Sequence, residues 1–287
     1  MREPIASSQR GEGPLLWRFT PLERTLHLLV IISFFGLVIT GIPLQFSYAP
    51  WARGLVRVLG GFQVAAVIHR LSAIIIFCYF LTHIGYVAYR ITRLRSLAEV
   101  KEYLFGPHSM VPGRKDLQDM IQQFKWYLGR SERPRFDRFS YMEKFDYWAV
   151  FWGVAIIGGS GLLLWFPESF ARFLPGWVFN IAMIVHGEEA FLALGFIFTI
   201  HFFNVHMRPE KFPIDVVIFT GRATADYMKE EHPLEYERLV REGRTRGLES
   251  SRPSRAAYVW AVGLGFAALG LGVSLIALVV WAFVGSG

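Results

Sequence analysis

Residues 62–90 read FQVAAVIHRLSAIIIFCYFLTHIGYVAYR, an apolar run long enough to cross a membrane and broken by two histidines, His69 and His83. A helix turns by about 100° per residue, so this spacing leaves the two imidazoles about 40° apart on one face and about 21 Å apart along the axis. Residues 178–205, VFNIAMIVHGEEAFLALGFIFTIHFFNV, repeat the arrangement with His186 and His201. These two lie within about 60° of one face and about 22 Å apart along the axis. Four imidazoles on two helices can meet as two facing pairs, one near each membrane surface.

The rest of the chain fits this reading. Of 287 residues, 53% are apolar and 16% aromatic, and the mean hydropathy is positive, a membrane composition that excludes a soluble globule. Five stretches reach the length of about 20 residues that a helix needs to cross about 30 Å of hydrocarbon: Leu26 to Phe46, Phe62 to Arg90, Phe145 to Phe166, Val178 to Val205 and Ala256 to Val284. The predicted fold is an all-α integral membrane helix bundle, with a four-helix core over 26–207 and a fifth transmembrane helix in 256–287. Residues 1–25 form an N-terminal lead-in without the pattern of a cleavable signal. Residues 91–144 and 208–255 are basic loops. Of the 30 lysines and arginines, 26 fall in the lead-in, in these two loops or at Arg90, which borders the first of them. The positive-inside rule puts that side in the cytoplasm, so the amino terminus is expected to be cytoplasmic and the carboxyl terminus outside.

Net charge is +7, yet the basic stretches flank membrane spans and carry no nucleic-acid-binding module, so they read as solvated, topology-setting and lipid-contacting, with no nucleic acid as partner. Residues 116–128 have helical periodicity, with Phe124, Trp126 and Tyr127 available to a membrane surface or a partner.

An ionisable side chain inside a bilayer is costly unless it is paired or ligating, so histidines at matched levels point to function. Facing neutral imidazoles between apolar helices are what a six-coordinate haem iron takes from a protein. The single cysteine, Cys78, excludes a disulfide framework and a cysteine-rich metal site, and the chain has no CxxCH, so haem here is held by ligation and packing alone. The wide histidine spacing also argues against a membrane oxidase that gathers HxxxH motifs at one metal.

His69-Arg70-Leu71-Ser72-Ala73 followed by His83 resembles the second helix of cytochrome b from bc- and bf-type complexes, and the spacing of His186 to His201 is similar to that family's fourth helix. The resemblance implies that His69 pairs with His186 on the outer side and His83 with His201 on the cytoplasmic side. The first span resembles another branch. Its Arg24-Thr25-Leu26-His27 start and Thr40-Gly41 near the far end are similar to the first helix of the cytochrome b subunits of membrane formate dehydrogenases and nickel–iron hydrogenases, where a first-helix histidine holds the cytoplasmic-side haem. That likeness makes His27 a rival of His83 for the place opposite His201. The quinol-oxidising Pro-Glu-Trp-Tyr motif of bc-type cytochromes is absent, and the fifth span and long basic loops are not typical of the formate dehydrogenase subunits.

The resulting expectation is a b-type dihaem subunit that moves electrons across a bacterial or archaeal cytoplasmic membrane. It works between the quinone pool and a partner redox subunit of cytochrome c, iron–sulfur, molybdenum or hydrogenase type. Two haem b are expected, with a third conceivable through His27 and His206. Glu188 and Glu189 are candidates for exchanging protons with a quinone, as are Asn204 and His206 on the cytoplasmic side. Clustered glycines in the third span, Gly158, Gly159 and Gly161 among them, read as close helix packing. The alternative is a haem-free, proton-coupled transporter whose histidines relay protons, which predicts polar groups spread along a path and broken helices.

Overall fold

The computed structural model describes residues 13–209, 211–212 and 214–285; the start of the expected lead-in, residues 1–12, lies outside them. Among the described residues, five helices are long and apolar enough to cross a membrane: Pro21–Gln45, Phe62–Thr92, Tyr141–Trp165, Trp177–Met207 and Arg255–Ala282. They coincide with the five stretches read from sequence, with ends that differ by five residues or fewer. A membrane-crossing β-strand needs only about 10 residues and a closed barrel, so apolar runs of about 20 residues or more leave the helix as the way to satisfy the backbone. The chain divides into two compact units.

One unit comprises residues 25–84, 150–204 and 264–287. Its core joins Val38, Ile42 and Phe46 of the first span to Leu194, Phe198 and Phe202 of the fourth and Leu275, Val279 and Ala282 of the fifth, closed by Ala49 and Ala52 beside the short helix Pro50–Val58. Small residues allow the close approaches. A Cβ on Gly272 would overlap the Phe198 ring, and one on Gly36 would meet Ser72 of the second span. The Pro50–Val58 helix ends where the Gly60 and Gly61 amides donate to the Arg57 and Val56 carbonyls. Both glycines have left-handed φ values, +95° and +92°, which a side chain would strain. The third and fourth spans contain π-helical turns, Val154–Gly158, Ile197–His201 and Phe203–Met207.

The other unit comprises residues 1–24, 85–149 and 205–263. Here the lead-in and both basic stretches fold together. A small antiparallel sheet has the order β2-β1-β3, with β1 (Leu15–Trp17) between β2 (Arg222–Thr224) and β3 (Glu249–Ser250). Leu16 lies opposite Ala223 on one side and Glu249 on the other. Leu16 also enters an apolar cluster with Val217, Ala223, Tyr227, Met228 and Leu239.

The charges are largely paired and not simply solvated. The buried Arg18 guanidinium donates to Glu235 at 2.6 Å and to the Arg138 carbonyl at 2.6 Å, and it lies 2.9 Å from the His232 ring. Arg138 joins the same Glu235 carboxylate at 3.1 Å. Glu231 accepts from Arg133 at 2.6 Å, with Arg208 at 3.3 Å and Lys211 at 3.6 Å, and Tyr227 donates to Asp215 at 2.8 Å. These partners come from segments far apart in sequence, so single-sequence patterning, which sees only local charge, reads them as loops.

This network sets a pH dependence. Burial, reinforced by the Arg18 guanidinium, holds the His232 imidazole down at about 4. Burial opposes ionisation of the Glu231 carboxyl, but Lys211, Arg208 and Arg133 outweigh it and hold the group at about 2. Each group therefore binds fewer protons folded than unfolded over its window. The His232 contribution is complete above about pH 6.5 and is lost as pH falls towards 4, a loss on the order of 3 kcal/mol. The Glu231 contribution is complete above about pH 4.5 and is lost towards 2. Amide hydrogen exchange of Leu15–Trp17, corrected for intrinsic rates, is expected to lose protection from pH 6.5 downwards. In His232→Gln the loss should begin only near pH 4.5.

Candidate functional site

The His69 and His186 rings face each other with centroids 6.2 Å apart and planes at 64°. They come from the second and fourth spans, and each is held from behind by the span preceding its own. His69 Nδ1 lies 2.9 Å from the Thr40 hydroxyl of the first span and is also hydrogen-bonded by the Leu37 carbonyl. That hydroxyl already donates to the Gly36 carbonyl at 2.6 Å, so towards His69 it can only accept. The proton is on Nδ1, and Nε2 is left with a lone pair able to ligate a metal.

The other ring repeats this arrangement. His186 Nδ1 donates to the Ile157 carbonyl at 2.9 Å and lies 3.3 Å from the Ser160 hydroxyl, which itself donates to Ile156 at 2.7 Å. Ile157 lies in the π-helical turn Val154–Gly158. Each hydroxyl is followed by a glycine against the imidazole. A Cβ on Gly41 would stand 3.2 Å from His69 Cε1, and one on Gly161 would stand 3.0 Å from His186 Cε1. The first and second spans thus build the same cradle as the third and fourth: a carbonyl, a hydroxyl three residues on, then a glycine.

At the other level, His27 and His201, both half-buried, lie close enough for their charges to act on one another. A π turn holds one residue more than an α turn. The turn at Ile197–His201 therefore takes up the extra residue in the fourth-span spacing and brings His201 back towards the face of His186. His83 has different neighbours: it stacks on Tyr79 at 6.2 Å and 20° and meets Phe151 edge-on at 5.8 Å.

The remaining sequence candidates are dispersed. Gln45 donates to Glu188 at 3.3 Å, and Trp152 donates to Glu189 at 3.3 Å. The Asn204 amide donates to the Ile200 carbonyl at 2.9 Å, while His206 is buried in the unit that contains the sheet. Sequence reasoning missed Ser160 as a positioning residue, took Gly161 for packing and gave His232 no role. The available signal was the hydroxyl–glycine pair shared by Thr40-Gly41 and Ser160-Gly161.

The opposed imidazoles fit a six-coordinate iron. With a metal–nitrogen bond of about 2 Å on each side, two axial rings have centres roughly 6 Å apart. Both imidazoles also give their second nitrogen to a fixed acceptor, as metal-bound histidines do.

Comparison with known proteins agrees with this chemistry. The chain is 21% identical over 232 residues to the cytochrome b556 subunit of the nitrate-inducible formate dehydrogenase of Escherichia coli K12, a match covering 80% of this chain and 94% of the relative. The counterpart from Shigella flexneri matches to the same extent. The family model described as prokaryotic cytochrome b561 matches residues 18–209, a stretch that contains the His69–His186 pair, His27, His201 and both hydroxyl–glycine cradles. The chain belongs to the prokaryotic cytochrome b561 family and is a membrane-embedded b-type cytochrome of electron transport.

Proposed function

We propose that this chain is the dihaem subunit of a quinone-linked oxidoreductase complex, carrying electrons across the cytoplasmic membrane between the quinone pool and a partner redox subunit. The observation that carries the reading is the His69–His186 pair, opposed at 6.2 Å with both Nδ1 atoms occupied by neighbouring helices. His69 and His186 hold one haem through Nε2. We assign the second haem to His27 and His201, in place of the bc-like pairing of His83 with His201, a reading supported by the influence of the His201 charge on His27. Haem supplies one-electron transfer; the chain supplies ligation, orientation and tuning.

Leu37, Thr40, Ile157 and Ser160 fix the two ring planes and the tautomer, leaving Nε2 as the basic nitrogen. A quinone exchanges two protons along with two electrons, and Glu188 and Glu189 are the carboxylates we assign to proton exchange on the side opposite His201. The orientation follows the lysine and arginine asymmetry, with both basic stretches cytoplasmic. A formate-dehydrogenase-like partner is supported by the relative's printed role as one subunit of a larger enzyme. Membership of a cytochrome family removes the case for a haem-free transporter.

Pyridine haemochrome analysis is expected to return two haem b per chain. His69→Ala and His186→Ala should each remove one and the same haem, and His27→Ala and His201→Ala the other. His83→Ala should keep both low-spin. Low-spin haem lost from His83→Ala and retained in His27→Ala would restore the bc-like pairing.

Thr40→Val keeps the shape and removes the hydroxyl acceptor behind His69. Losing such an outer contact costs about 10–100-fold in metal-site affinity, and the remaining Leu37 carbonyl points to the lower end of that range. Competition for haem against apomyoglobin should show faster loss of the His69 haem alone, with Thr40→Ser close to wild type.

A further inference from the structure

The helix Arg114–Tyr127 is folded with its polar face inward. Asp116, Asp119 and Gln123 are only 7–8% exposed, whereas Leu117, Ile121, Phe124 and Leu128 are 46–68% exposed. At about 100° per residue the four apolar side chains fall within about 60° of one another, on the side away from the buried three. Arg114 and Lys125, both exposed, flank this stripe on one edge, and no acidic residue of the helix faces outward.

The acids are accounted for inside. Asp116 accepts from the Gly113 amide at 2.7 Å and from Lys144 at 2.9 Å, and Asp119 pairs with Lys115. Lys144 belongs to the first turn of the third span, and Trp148, one turn further on, donates to the Met110 carbonyl at 3.0 Å just before the helix. The inward ties therefore run to the end of a membrane span.

We propose that this helix lies in the headgroup layer of the leaflet that the third span enters at Tyr141, with Leu117, Ile121, Phe124 and Leu128 inserted and Arg114 and Lys125 against anionic lipid. An apolar stripe of one helix face, edged by cations and stripped of acids, is the pattern of an interfacial helix. Its attachment to a span keeps it at that depth. Burying four large apolar side chains gives the insertion its driving force, and the inward carboxylates avoid repulsion from anionic headgroups.

The test uses the full chain with Cys78→Ser and one new cysteine, Ile121→Cys on the stripe or Gln118→Cys beside it, labelled with a nitrobenzoxadiazole fluorophore. The protein is placed in nanodiscs of phosphatidylcholine with or without phosphatidylglycerol. The label at 121 should be quenched by lipid spin-labelled near the headgroup and show several-fold weaker iodide quenching than the label at 118. Phosphatidylglycerol should strengthen that protection, and Arg114→Gln with Lys125→Gln should abolish the increment. Equal iodide access at the two positions would overturn the proposal. So would a label at 121 shielded from both quenchers, which would mean that protein covers the stripe, or protection indifferent to lipid charge.

Discussion

An imidazole inside a bilayer has two polar nitrogens and no water to satisfy them, and the arrangement of the spans around His69 and His186 follows from that constraint. His69 and His186 meet it in the same way. Nδ1 gives its proton to a carbonyl and hydroxyl on the preceding span, and the two rings lie with centroids 6.2 Å apart. Anchoring each ring on a second helix fixes its plane and its tautomer together, so the pair is preorganised for a metal and not merely tolerated in hydrocarbon. The glycines follow from this. A hydrogen bond between adjacent helices requires the imidazole to press against the preceding span, and Gly41 and Gly161 are where a Cβ would obstruct it.

The same constraint gives the π turns a purpose. A regular α-helix would leave His201 about 60° round from His186. The wider turn ending at His201 corrects the rotation without losing backbone hydrogen bonds. The turn at Val154–Gly158 includes the Ile157 carbonyl that holds His186. Helical irregularity in this chain is concentrated at the histidine ligand candidates, in keeping with the frequency of π turns at functional sites.

The unit built on the three-stranded sheet shows a different use of charge. The basic residues whose asymmetry sets the expected orientation also serve as partners for buried carboxylates. Arg18 and Arg138 share Glu235, and Arg133, Arg208 and Lys211 converge on Glu231. A buried carboxylate that loses such partners is left uncompensated, a cost larger than the net worth of the pair. Segments separated by the membrane spans are thereby held in one fold.

Much of this was legible in the sequence because hydrocarbon admits few solutions. Twenty apolar residues in a row dictate a helix, and a histidine within them demands a partner, so the five spans, the His69 and His186 candidates and the b-type cytochrome class follow from local pattern. Charge asymmetry alone supplied the expected orientation. The tertiary structure was needed wherever a partner lies on another segment. Helical periodicity places His27 and His83 at similar depth and cannot say which one stands beside His201, since that depends on how the helices rotate against each other. The hydroxyls of Thr40 and Ser160 looked like ordinary span residues until the imidazoles came to rest on them. His232 and the basic stretches read as loops because ion pairing between residues such as Arg18 and Glu235, 217 positions apart, leaves no periodic trace in the chain.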